Sequence, residues 1–274
     1  MIWAPLLLAG AAGLGGFLYL RGKLNDEDVP VVANLFPPGA PRRVLAVWAH
    51  PDDEITCAGT LAAMARAGAE VHLLYLTAGE AARDTGYSPE ELAEVRRGEA
   101  QAAGEVLGVR SVEVLAFPDG GLSALDPVAP KAAIARKIAE VSPDLVIGFD
   151  EKVGFYGHPD HVKAGRWLRE VVEENPGSVR RLWQATLPRA LIALALKLVQ
   201  AFRDHYPTEP ERGLPAPDVA VRISSQATAK RRLLDAHTSQ AKIIADVQPY
   251  YDRVPAWLYY RLFDREYFHL ALER

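Results

Sequence analysis

From Val44 to Phe149 the chain alternates short apolar runs with segments of helical periodicity, and this alternation restricts its fold more than any other feature. Val44 to Trp48 is an unbroken apolar run, suited to a strand buried on both faces. Val71 to Leu76, Val112 to Phe117 and Leu145 to Phe149 read as further strands. Between them, Ala58, Leu61, Ala62 and Ala65 recur at helical spacing before Gly68. Pro89 to Leu107 reads as a helix closed by Gly108, and Asp126-Pro127 opens another with Ile134, Ile138 and Val141 on one face. Strand and helix at these intervals predict βαβ units. The expected fold is α/β: a Rossmann-like, doubly wound, mostly parallel sheet with helices on both faces. In such folds ligands bind beyond the carboxyl ends of the strands, so the residues just after each strand carry the most information.

The amino terminus differs in kind. Ile2 to Leu20 holds no charged side chain, and nineteen residues of helix would span about 28 Å, close to one hydrocarbon core. Arg21 and Lys23 follow at once, then Arg42 and Arg43. Residues 1–23 are expected to form an uncleaved, single-pass membrane anchor, a hydrophobic helix preceding the α/β domain, with a cleaved signal segment as the alternative. The positive-inside rule would place the following domain in the cytoplasm. Pro5, Gly10, Gly13, Gly15 and Gly16 dilute the apolar run. Gly13-Leu14-Gly15 follows no strand and so is not a dinucleotide loop. Residues 24–42, acidic at Asn25-Asp26-Glu27-Asp28 and interrupted by Pro37, Pro38 and Pro41, read as a linker. Residues 43–274 form the domain.

A formal net charge of -4 and the absence of a basic run argue against a nucleic-acid partner. The single cysteine, Cys57, excludes an internal disulfide and a cysteine-built zinc site. Any metal must be held by His, Asp or Glu.

Two clusters supply such groups where the fold places its ligands. His50-Pro51-Asp52-Asp53-Glu54 follows the first strand, and Tyr156-Gly157-His158-Pro159-Asp160-His161 follows the fourth after a loop. One His-Pro or Asp-Asp pair alone is usually a turn or cap; two such clusters at strand ends point to a metal site. His158 and His161 are three apart, with Pro159 placed to open a helix. The side chains of Asp52 and Asp53 diverge, so one can bind a metal while the other faces a bound water. The donor set suits Zn²⁺, with Fe²⁺ as a substitute.

Ala49-His50-Pro51-Asp52-Asp53-Glu54 and His158-Pro159-Asp160-His161 together resemble the two signatures of the LmbE-like, or PIG-L, deacetylases. That family includes deacetylases of N-acetylglucosaminyl-phosphatidylinositol and of the mycothiol and bacillithiol precursors. The resemblance extends from about Val44 to at least Gln240. It implies a zinc-dependent hydrolase that removes the N-acetyl group from an N-acetylglucosamine conjugate, glycolipid or thiol precursor, by water activated at zinc. His50, Asp53 and His161 would bind zinc and Asp52 would be the general base. His158 would steady the oxyanion, Asp160 would orient the histidine side, and Tyr156 would cover the reacting carbonyl. Glu54 would support the site or start a helix. Thr77-Ala78-Gly79-Glu80 matches a family turn, and Arg96 with Glu99 matches an Arg-x-x-Glu helix ending at Leu107-Gly108-Val109. Arg96 and the Asp119 of Phe117-Pro118-Asp119-Gly120 would contact sugar hydroxyls, and His237-Thr238-Ser239-Gln240 matches a late, structural element.

His72, His205 and His269 belong to neither cluster and read as ordinary surface or core residues. Arg189 to Asp204 reads as one amphipathic helix covering the sheet, or resting on a membrane near the site; with the expected anchor, the substrate could then be lipid-linked. Two other readings stay open: an amidase for another N-acyl substrate, such as a cysteine conjugate, and a catalytically silent sugar-binding module.

Overall fold

The apolar runs form the centre of one eight-stranded sheet. The chain, described by a computed structural model over residues 3–39, 42–175 and 177–274 (side chains of the first helix from Gly13 onward), runs as follows. Helix α1 (Trp3–Leu24) precedes β1 (Val31–Val32), β2 (Arg43–Trp48), α2 (Ala58–Arg66), β3 (Glu70–Thr77), α3 (Pro89–Leu107), β4 (Ser111–Phe117), α4 (Val128–Val141) and β5 (Leu145–Gly148). Then come α5 (Gly154–Gly157), α6 (Pro159–Glu174), β6 (Arg181–Thr186), α7 (Arg189–Leu198), α8 (Gln200–His205) and β7 (Val219–Arg222). Helices α9 (Ala227–Ala236), α10 (Ala241–Val247) and α11 (Ala256–Leu262) lead to β8 (Arg265–Glu273).

The strand order is β1-β7-β8-β6-β5-β2-β3-β4. β2 pairs in parallel with both β3 and β5, and β4 and β6 extend the parallel sheet on either side. β8 runs antiparallel between β6 and β7, and β1 pairs in parallel with β7. The expected mixed α/β fold with a mostly parallel sheet is present. After β2 the chain builds outward through β3 and β4, then returns to place β5 on the other side of β2. The order reverses there, so a crevice opens beyond the carboxyl ends of β2 and β5.

Side chains of β2 alternate between two cores. Val44, Ala46 and Trp48 pack with α2, α3 and α9, while Leu45 and Val47 pack with Ile134 of α4 and Trp167, Leu168 and Val171 of α6. Helix α3 begins at a reciprocal cap, with Ser88 Oγ accepting from Glu91 N and Glu91 Oε2 accepting from Ser88 N. It ends at Gly108, whose φ of 73° suits a residue without Cβ.

Two expectations for the amino-terminal region are corrected. Helix α1 forms, but among the described residues no helix is long and apolar enough to cross a membrane. Its glycines dilute the apolar character, and Arg21 and Lys23 fall inside it. Met1 and Ile2, also assigned to the anchor, lie outside the described residues. The last turn of α1 is fastened to the domain: Arg21 Nη2 lies 2.7 Å from Asp264 Oδ2, and Asn25 Nδ2 donates to Leu262 O at 2.6 Å. Residues 24–42 are more than a linker. β1 adds an edge strand, and the fully buried Leu35 accepts a hydrogen bond from Trp183 Nε1 at 3.0 Å. Pro41 lies outside the described residues.

Arg189 to Asp204 is two helices rather than one. Val199, at φ -103° and ψ 121°, separates α7 from α8, and no residue of α7 is buried.

Candidate active site

The crevice beyond β2 and β5 gathers both clusters. His50 leaves β2; α5 and the start of α6 bring in Tyr156, His158, Asp160 and His161. Asp53 folds back on its own turn, its Oδ2 accepting from Ala49 N at 3.0 Å and His50 N at 2.9 Å. Its Oδ1 then lies 3.0 Å from His161 Nε2, while Oδ2 is 3.7 Å from His50 Nδ1. His50 Nδ1 and His161 Nε2 are 3.2 Å apart.

The tautomers follow from the other ring nitrogens. His161 Nδ1 donates to Gly154 O at 3.1 Å, leaving the Nε2 lone pair facing the cluster. His50 Nε2 lies 2.9 Å from Asp119 Oδ1 and 3.5 Å from Asp160 Oδ2, so its proton sits there and the Nδ1 lone pair faces His161. Two lone pairs facing each other at this distance, beside a carboxylate, require a proton or a cation between them. These donors therefore fit a divalent ion, with Asp119 behind His50 in the carboxylate–histidine arrangement common at metal sites. When no cation is bound a proton takes this place: burial lowers the His50 pKa, but Asp119, Asp160 and Asp53 outweigh it and raise the value to about 10. Burial likewise opposes ionisation of Asp53, yet the two imidazoles hold it down at about 2.

His158 also has a ring nitrogen close to those of His50 and His161, all within 4.8 Å of one another. Its Nδ1, however, accepts from Asp160 N at 3.2 Å as the cap of α6. Burial, with the neighbouring His161 and His50, pushes its pKa down to about 4. His158 is thus a neutral imidazole carrying its proton on Nε2. Tyr156 stands edge-on to His161 with ring centroids 5.0 Å apart, and burial raises its hydroxyl pKa well above the ordinary value.

Asp52 occupies a left-handed conformation at φ 104°, which turns its carboxylate away from that of Asp53 and toward Arg96, with Oδ1 3.2 Å from Arg96 Nη2. Burial raises its pKa and Arg96 pulls it back; the value settles at about 6. Arg96 also donates to Gly79 O at 2.8 Å and to Pro51 O. Glycine suits position 79: its φ is 72°, and a Cβ would lie 2.0 Å from Arg96 Nη1, displacing the guanidinium.

Asp160 is fully buried, accepting from Gly120 N at 2.7 Å and Leu122 N at 3.2 Å. It therefore holds the Asp119 loop and faces His50 more than His158. Asp119 Oδ2 accepts from Ala81 N at 2.8 Å, and Glu80 Oε1 accepts from Asp119 N at 2.9 Å. The Thr77–Glu80 turn and the Phe117–Gly120 loop thus support each other.

Sequence reasoning placed Glu54 and His237 as supports without linking them. His237 Nε2 and Glu54 Oε1 are 2.6 Å apart with both side chains fully buried, and Glu54 Oε2 accepts from Asp52 N at 3.0 Å. One residue on, Thr238 Oγ1 and Ser239 Oγ donate to Glu99, one turn beyond Arg96 on α3. Asp52, Arg96, Glu99, the 237–239 turn and Glu54 form a closed ring around one carboxylate.

Other contributors went unread. Asp150, just past β5, accepts from Lys152 N, Val153 N and Phe155 N and so shapes the loop that presents Gly154 O; its place after a strand was the available signal. Phe149 stacks on His161 at 4.4 Å. Phe155 is held at φ 74°, and Gly157 packs on the His205 backbone, where a Cβ would lie 2.0 Å from the carbonyl oxygen. His205 is therefore a neighbour of the site loop. His72 and His269 lie elsewhere, beside Ser111 Oγ and Asp218 Oδ2 respectively, each at 2.8 Å. The site opens into a cavity of about 680 Å³.

A doubly wound α/β fold with a buried histidine–aspartate cluster at its topological switch point defines the class: an α/β protein whose site could hold a metal ion. The chain belongs to the PIG-L family, that of GlcNAc-PI de-N-acetylase, whose model matches residues 45–172. It is similar to the 1D-myo-inositol 2-acetamido-2-deoxy-alpha-D-glucopyranoside deacetylase of Kineococcus radiotolerans, at 32% identity over 87% of this chain and 81% of that protein. A Bacillus anthracis protein named Probable N-acetyl-alpha-D-glucosaminyl L-malate deacetylase 2 is 27% identical over 80% of this chain and 95% of its own. The N,N'-diacetylchitobiose deacetylase from Pyrococcus horikoshii shares the fold, with a TM-score of 0.61, 20% identity and coverage of 84% of both chains.

Proposed function

We propose that this protein hydrolyses the N-acetyl group of an N-acetylglucosamine conjugate, with zinc as the metal ion and Fe²⁺ as a substitute. The observation that carries the reading is the convergence of His50 Nδ1, His161 Nε2 and Asp53 Oδ1 beside an Asp52 whose pKa lies near neutrality. His50, Asp53 and His161 would hold the ion. When bound, it would polarise the acyl oxygen and acidify a water molecule. Asp52 accepts the proton of the attacking water as the new C–O bond forms. His158 donates from Nε2 to the oxygen that gains charge, and Tyr156, kept protonated by burial, closes over the same atom. The C–N bond then breaks as Asp52 returns that proton to the departing nitrogen, releasing acetate and the free amine. Arg96 and Asp119 border the cavity where sugar hydroxyls would lie, and each also positions a neighbour, Asp52 and His50 respectively.

Asp52→Asn separates these roles. The variant is expected to bind one equivalent of zinc while losing most turnover, roughly a hundredfold or more. A chelator should abolish the activity of the unaltered protein and added zinc should restore it. Near-normal turnover by Asp52→Asn would remove Asp52 from the role of base.

A further inference from the structure

We propose that the amino sugar taken by this site carries an apolar aglycone, seated against α7, α8, α10 and α11. The inference rests on the deacetylase reading and names the class of group on the other side of the glycosidic bond. One cavity contains both the His50–Asp53–His161 cluster and a wall of carbon. Leu191, Leu194 and Leu198 of α7, Phe202 of α8, Val247 of α10 and Phe263 after α11 all line it. Helix α7 has a distinct apolar side, yet none of its residues is buried. Its leucines are only partly covered by the protein and border open space beside the reacting centre.

Polar groups are divided unevenly along this cavity. Asp52, Arg96 and Asp119 stand at the cluster end. Away from it, most of the polar side chains are already engaged inside the protein, with Tyr260 Oη and Arg265 Nε as buried atoms that have no hydrogen-bond partner. Lys230 is paired with Glu266 and donates to Ile55 O, Glu266 accepts from Gly59 N and Thr60 N, and Thr186 donates to Pro215 O. A hydroxyl-rich or charged aglycone would leave water there for few new hydrogen bonds. An apolar one gains by leaving water. The apolar path also reaches the surface: Leu198, Ile243 and Tyr250 line the cavity and are 51%, 47% and 63% exposed. A long aglycone could therefore extend out of the protein along carbon. This wall comes from residues beyond the 45–172 segment that the family model matches. The aglycones in the names of the similar proteins, inositol and L-malate, are polar, and this wall is unsuited to them.

The test uses the full chain and a series of N-acetylglucosaminides of methanol, butanol and octanol, kept below their aggregation concentrations. Each fully buried methylene is worth about a threefold to fourfold gain in binding. The octyl compound is expected to exceed the methyl compound by roughly tenfold or more in kcat/KM, chiefly through KM. Leu194→Ser and Ile243→Ser should each lower the octyl-to-methyl ratio severalfold; Ile243 is exposed, so its substitution leaves the fold intact. Hydrolysis of the methyl compound with no gain for octyl would overturn the apolar subsite and leave the deacetylase reading standing. If neither compound is hydrolysed, the deacetylase reading fails, and calorimetric binding of the two compounds decides the subsite. Tighter octyl binding keeps the subsite, and equal affinity removes it.

Discussion

A single backbone angle at Asp52 separates two adjacent carboxylates into two tasks. At φ 104° its side chain leaves the direction of Asp53 and meets Arg96. Left-handed backbone costs an L residue on the order of 1 kcal/mol or more, and Glu54 holds it by accepting from Asp52 N. With a pKa near 6, Asp52 is a competent base above that pH and is lost as a base below it. kcat/KM should therefore fall with a one-proton limb near pH 6. Arg96→Gln removes the cation that lowers this pKa, so the limb should move to higher pH; an unmoved limb would mean that another group titrates. His237 tests the support behind Glu54. Its pKa is raised, because Glu54 outweighs the effect of burial. Its contribution to stability is thus complete below the ordinary histidine pKa of about 6.5 and is lost as pH rises through the higher folded value. His237→Ala leaves the Glu54 carboxylate buried without its partner and should cost about 3–5 kcal/mol in denaturant unfolding at pH 6. Adding Glu54→Gln to that variant should recover part of the loss.

At the scale of elements, α3 carries Arg96 to the site, and the turn after β3 receives it. Gly79→Ala places a methyl group where the guanidinium lies, on backbone that disfavours it. It should lower kcat on the order of tenfold or more by displacing Arg96 and with it Asp52, a loss readable beside an unchanged zinc content. The element pattern was legible where it was redundant. β2 through β5 each combined an apolar run, a helical partner and a glycine or proline stop, and both histidine clusters were found because they follow strands of that kind. The break between α7 and α8 was not legible. Val199 continues the apolar spacing, and only its extended backbone interrupts the helix. Nor could the pattern show that α7 lines an opening, since a helix covering a sheet and one bordering a cavity carry the same stripe. The ring through Glu99, Thr238, Ser239, His237 and Glu54 joins residues more than a hundred positions apart, a closeness that no local spacing encodes. Asp150 was missed because a lone aspartate after a strand is usually a turn residue.

For the whole molecule, the amino-terminal helix is tied to the catalytic unit at Asp264, which faces both Arg21 and Arg222. Asp264→Asn should weaken that tie, measurable as faster tryptic cleavage after Arg21 and Lys23 with little change in kcat. A rate of cleavage equal to that of the unaltered protein would mean that Asn25 and Arg265 hold the helix unaided. The antiparallel β8 has a consequence of another kind. In the sheet ladder, β7 and, through it, β1 join the parallel strands by way of β8. The parallel half is continuous without β8, whereas the opposite flank is laddered to it through that one strand, which also carries the Glu266 carboxylate that caps the backbone of α2, so a lesion in β8 would loosen the flank and the start of α2 together.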